Sequence, residues 1–148
     1  MVVPFVPELN IRPLQPEQHL DAAGALVNRM LQRAPYSAPM DEAMLRQQLF
    51  DPQPPTLFPV HWQARQLLGA WRAGELLALA DIGASLEAGD GVDNQTTGVL
   101  RFLVLPERAE LVAETARLLL VATEHFWRDN HIGIARAFSY AGGYPTLQ

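Results

Sequence analysis

At Pro106 the hydrophobic pattern of the chain changes period, and that switch limits the folds open to it. Before it, Val99, Leu100, Phe102, Leu103, Val104 and Leu105 form a nearly continuous apolar run, in part β-branched and aromatic. Such a run predicts a strand buried on most of both faces beneath helices. Pro106 ends it, because proline has no N–H for a ladder. Beyond it, Leu111, Thr115, Leu118, Leu119, Ala122 and Phe126 recur at helical spacing, and Glu110, Glu114, Arg117, Glu124 and Arg128 take the opposite side. That predicts an amphipathic helix of about five turns. Burying Leu111, Leu118, Leu119 and Phe126 contributes on the order of 10 kcal/mol gross, before conformational entropy is set against it. A strand that turns straight into a helix also leaves unpartnered N–H groups and the positive end of the dipole at the turn. An anion is favoured there.

The other elements follow from the same reading. Leu9 to Leu14 alternates as a first strand that ends at Pro13 or lies at an edge. Pro16 opens a helix whose stripe is Leu20, Ala23, Gly24, Val27 and Leu31. Arg33 to Pro39 breaks it. A shorter helix follows from about Asp41 to Phe50, with Met44, Leu45 and Leu49 inward and Asp41 or Ser37 as its cap. Asp51 to Pro59, rich in proline, is an extended connection. Gln66 to Ala73 and Glu75 to Ala84 flank Gly74 as a hairpin, with a helix through Glu75–Ala80 as the competing reading. Leu86 to Gln95 carries glycines and acids and reads as a loop. Ile134 to Tyr140 is a last strand, and Ala141-Gly142-Gly143 starts a turn. The order β, α, α, β, β, β, α, β ends in a parallel pair joined by a crossover helix. The expected fold class is α/β (α+β): a mixed, mostly antiparallel sheet with helices on both faces, in one domain spanning 1–148.

Composition removes several classes of function. The 148 residues are 49% hydrophobic, enough for a real core, and the net charge of −5 comes with no basic stripe. A nucleic-acid surface is therefore not expected. The absence of cysteine excludes disulfides, thiolate catalysis and cysteine-ligated zinc. His19, His61, His125 and His131 show no metal-ligand spacing with acids, so no metal is expected. No apolar run approaches a membrane span, and Met1 to Pro7 does not have the build of a secretory signal. The expected location is cytoplasmic.

Residues Val104-Leu105-Pro106-Glu107-Arg108-Ala109-Glu110-Leu111-Val112-Ala113 resemble the acyl-CoA pyrophosphate loop of the GNAT N-acetyltransferase superfamily. That loop follows a strand ending in Val-x-Pro and runs Arg or Gln, two residues, Gly, one residue, then Gly or Ala. Arg108 and Ala113 match, Leu111 stands at the central glycine, and the segment after the proline is one residue short. The element order from about residue 9 to residue 140 also resembles the first two-thirds of the GNAT fold. The resemblance implies an acetyl-CoA site, with the backbone of Leu103, Val104 and Leu105 toward the pantetheine. N–H groups from Arg108 through Ala109, Leu111, Val112 and Ala113 would face the pyrophosphate. It implies a substrate wall at Arg33 to Pro39, with Tyr36 as the substrate-side residue, and Asp81 on the hairpin as the candidate catalytic base.

Two departures accompany the resemblance. A leucine at the glycine position is expected to hinder close approach of phosphate to the backbone. The family's last helix and strands, with a tyrosine often serving as general acid, are expected to be missing; Tyr140 and Tyr144 fall too early for that role. Three functions follow as expectations. The first is a GNAT-like domain with acetyl-CoA-dependent acyl transfer to an amine reduced or lost, acting as a binding or assembly module. The second is an active N-acetyltransferase completed by a partner chain, and the third is a small α/β ligand-sensing domain unrelated to CoA. The unfinished last strand leads to the expectation of a homodimer or a partner chain covering it.

Overall fold

The computed structural model describes residues 7–55, 61–87 and 95–137. The sheet is built from β1 (Asn10–Pro13), β2 (His61–Arg72), β3 (Glu75–Glu87), β4 (Gln95–Val104) and β5 (Ala135–Ala137), in that spatial order. The first four strands are antiparallel and β5 is parallel to β4, joined to it through the crossover helix α3 (Ala109–Asp129). Helices α1 (Pro16–Arg33) and α2 (Glu42–Phe50) lie between β1 and β2 in the chain. The mixed sheet of the expected fold class is present.

Two cores sit on its two faces. Leu20, Val27 and Leu31 of α1 and Leu45 and Leu49 of α2 pack with Leu67, Leu79 and Val104. Leu119 of α3, with Ala122 and Phe126 beside it, packs on Leu68, Ala80, Ile82, Leu100 and Leu103. Successive strand residues therefore divide between the two cores, which explains why β4 reads as a continuous apolar run. Gly24 lets α1 approach α2 closely, since a β-carbon there would lie 2.7 Å from Leu45 Cδ1.

Local signals account for most boundaries. Pro16 opens α1, and Asp41 caps α2 by accepting from the Met44 N–H at 2.8 Å. Ser37, the other cap candidate, instead donates its hydroxyl to Leu31 and Ala34 carbonyls at the end of α1. The hairpin reading holds over the helical one for Glu75–Ala80. Ala73 and Gly74, at φ 50° and 79°, form the two-residue turn in which both positions are left-handed. Leucine and alanine are indifferent strand formers, but here both faces of β3 are covered, and burial overrides propensity. Pro13 is tolerated because β1 is an edge strand and its nitrogen faces away from β2.

Two expected bounds need correction, and the first is that β2 begins at His61, ahead of the expected Gln66. The loop over Leu86 to Gln95 is shorter than expected, because Leu86 pairs with Thr96 and Glu87 with Gln95 in the β3–β4 ladder. The remainder of that loop (88–94), the end of the proline-rich connection (56–60) and the first residues (1–6) lie outside the described residues. So do the end of the expected last strand, its following turn, Tyr140 and Tyr144 (138–148). Among the described residues no helix is long and apolar enough to cross a membrane, and no cluster of three metal-ligating side chains occurs.

Candidate functional site

The turn from β4 into α3 brings most of the expected cofactor-binding positions together. Leu103 and Val104 end the strand, Leu105 opens a turn that closes at Arg108, and Ala109, Leu111, Val112 and Ala113 lie in the first turns of α3. Arg108 is the cap residue, with extended backbone and no side-chain capping bond. The Leu111 N–H donates back to the Arg108 carbonyl at 3.0 Å.

The charges at this helix start neutralise one another. Arg108 donates from Nε and Nη2 to Glu110 Oε1 at 2.8 and 2.7 Å, and Arg33 of α1 reaches Glu107 Oε1 at 3.0 Å. The Glu110 carboxylate also accepts from its own backbone N–H, and this bond, followed by Arg108, holds its carboxyl below the ordinary value. A carboxylate thus occupies the place where a helix start attracts an anion.

Leu111 shares a cleft with the turn residues Leu105 to Arg108. Its side chain is 7% exposed and lines, with Leu26, Leu76, Leu77 and Val104, a cleft of about 170 Å³ between α1, the hairpin tip and the β4–α3 turn. Leucine at this position is buried, and the Glu110 carboxylate engages its own N–H at the helix start.

Asp81 has a different setting. It lies on β3 opposite Phe102, fully buried under α2. Its Oδ2 accepts from Arg65 Nη2 at 2.7 Å and from Arg101 Nη1 at 3.2 Å. The two guanidiniums continue to the end of α2. Arg101 Nη1 donates to the Gln48 carbonyl at 3.0 Å and Nη2 to Gln48 Oε1, and Arg65 donates to the Asp51 and Gln48 carbonyls. Burial raises the Asp81 carboxyl above its ordinary value, and the charges of Arg65 and Arg101 limit the rise. Residues that ladder pairing would place opposite one another slip here: Asp81 pairs with Phe102 and Ile82 with Leu100, so Arg101 is the extra residue of a bulge. The group ties three strands to α2 and satisfies carbonyls at the end of a helix. Asp81 itself is fully buried within it.

Tyr36, the expected substrate-side residue, is 98% exposed in the turn between α1 and α2, at φ 61°. It stands apart from Asp81. The structure thus gathers the turn residues, buries Asp81 and leaves Tyr36 in solvent. Sequence reasoning passed over Arg65, Arg101 and Gln48. The available signal was Arg101 itself, a cation inside the apolar run Val99 to Val104, which burial obliges to find a partner.

This architecture is that of the GNAT N-acetyltransferases. The chain superposes on a CoA complex of the aminoglycoside N-acetyltransferase AAC(6')-Iy with a TM-score of 0.64, covering 93% of this chain and 81% of that one at 16% identity. The ribosomal-protein-alanine N-acetyltransferase from Brucella melitensis gives a TM-score of 0.64 at 13% identity, over 89% of this chain and 80% of that one. Similar values hold for aminoglycoside 6'-N-acetyltransferase AAC(6')-IG from Acinetobacter haemolyticus: TM-score 0.64, 16% identity, 88% and 79% coverage. No protein-family model and no curated protein sequence matches the chain. At these identities the likeness establishes the fold.

Proposed function

We propose that this is a GNAT-fold domain in which acetyl-CoA binding, and with it acyl transfer to an amine, is reduced or lost, and which serves as a binding module. The single observation that carries this is Glu110, whose carboxylate holds its own N–H and Arg108 at the start of α3. A pyrophosphate seeking those donors must displace an attached carboxylate and approach a second one, Glu107. Donors already engaged in this way offer a pyrophosphate less than an open helix start would, and the two carboxylates beside them repel it.

The alternative of a working enzyme draws its support from the CoA-bound neighbour of the same fold. In that reading Leu103, Val104 and Leu105 would carry the pantetheine, backbone groups would polarise the thioester, and Glu110 would swing aside. Calorimetric titration separates the two. Silence with millimolar acetyl-CoA, and a gain of about tenfold or more on Glu110→Gln, is the result expected here. A micromolar dissociation constant for the unaltered protein would overturn it.

A further inference from the structure

Among the described residues, the second half of β2 is covered by β1 and the first half is not. β1 pairs with β2 only from Leu68 to Trp71, and the last bond of that ladder runs from the Leu14 N–H to the Leu67 carbonyl at 2.7 Å. The chain then leaves for α1. At the other end of the uncovered stretch, the Gln53 carboxamide takes the place of a neighbouring strand. Its Nε2 donates to the Trp62 carbonyl at 2.7 Å, and its Oε1 accepts from the Trp62 N–H at 3.2 Å. Between these two groups lies a notch of about 330 Å³, whose wall is the five consecutive residues Gln63 to Leu67.

The register decides what the notch presents. Leu67 directs its N–H and carbonyl toward the β1 side, and backbone groups alternate sides along a strand, so Arg65 directs both of its own the same way. The notch is closed by Leu14 and Pro16 from the β1–α1 turn and by Leu49 and Phe50 from the end of α2. Its floor is stiff: the Arg65 side chain is locked to Asp81 at 2.7 Å and its guanidinium lies 5.7 Å from the Trp62 ring centroid. One donor–acceptor pair beside an apolar wall, in a volume within the roughly 300–1,000 Å³ of small-ligand pockets, is the chemistry of a peptide unit with an aliphatic side chain.

We propose that this notch is a binding site for a short extended peptide segment, which adds to the edge of β2 in line with β1. One ligand residue exchanges both backbone hydrogen bonds with Arg65, and its side chain packs on Leu14, Leu49 and Phe50. The groups that bracket the slot point to a strand-like occupant. At Trp62 a side-chain amide already makes the bonds of a neighbouring strand, and at Leu67 the backbone of Leu14 does. The site is independent of the β4–α3 turn, so its failure leaves the reading of Glu110 untouched.

The test uses the full chain, labelled with nitrogen-15, and N-acetyl-leucine N-methylamide as probe. Saturable shifts of the Gln63, Arg65 and Leu67 amides are expected at millimolar probe. The same compound methylated on the leucine nitrogen, which cannot donate to the Arg65 carbonyl, should bind at least tenfold more weakly. Phe50→Ala should weaken the parent probe while the amide spectrum of β3 stays unchanged. Equal binding of the two compounds, or shifts that grow linearly without saturating, would overturn the proposal.

Discussion

The arginine–carboxylate group around Asp81 and the one at Glu110 differ in nearly everything except residue type. Beneath α2, Arg65, Asp81 and Arg101 are locked in a group where the Arg101 and Asp81 side chains are 0% and 1% exposed. At the start of α3, Arg108 and Glu110 make equally short contacts with 66% and 62% of their side chains in solvent. Distance alone would rank them as equals. Burial separates them, because water screens the outer pair, whereas the inner group has surrendered its hydration and depends on the protein to replace it. The inner cluster is thus a condition of the fold, and the outer one is a surface arrangement free to determine what binds.

The largest effect is expected where that distinction is tested head-on. Asp81→Ala leaves two cations in the interior and should destabilise the protein by about 3–5 kcal/mol in urea unfolding. Replacing the whole group, as in the triple variant Arg65→Met, Asp81→Leu and Arg101→Met, should cost less than Asp81→Ala alone, since the penalty belongs to unpaired charge. A triple variant worse than the single one would show that the network contributes more than mutual neutralisation.

Leu111→Gly comes next. It removes a buried side chain at the β4–α3 turn and should cost about 2–4 kcal/mol in the same assay. It should leave acetyl-CoA affinity unchanged; a gain in affinity with the fold intact would return the obstruction to Leu111. A smaller effect attends Glu107→Gln, which breaks the exposed contact with Arg33 and should change stability by no more than about 1 kcal/mol.

The smallest effect is a titration. The Glu110 carboxyl is held below its ordinary value, so its favourable contacts are complete above the ordinary carboxylate range. They are lost as pH falls through the lowered folded-state value. Carbon-detected NMR should find Glu110 titrating below the other exposed glutamates, and Arg108→Gln should move it partway back. An ordinary value in the unaltered protein would mean that the carboxylate is not held at the helix start.

Much of this fold was legible because its elements carry strong periods. The change at Pro106, the stripe from Leu111 to Phe126 and the turn at Gly74 each had a local physical cause, and each stands where expected. Leu111 is instructive, since the helical stripe already counted it inward while the loop comparison placed it against a phosphate. In the structure it is buried at the turn. The ion cluster was less accessible. Asp81 and Arg101 are separated by 20 residues, and their meeting depends on a bulge that slips the β3–β4 register, which no composition or spacing announces. The conformation of Glu110 was equally hidden, because an acid in a first helical turn usually signifies nothing beyond a favourable dipole.

The N–H that the Glu110 carboxylate engages is its own, and following that amide resonance, with those of Ala109 and Leu111 beside it, as acetyl-CoA is added tests the blocked helix start most directly. If Glu110 fills the position, these signals stay in place up to millimolar ligand and move only in Glu110→Gln. Saturable movement at micromolar ligand in the unaltered protein would contradict the account.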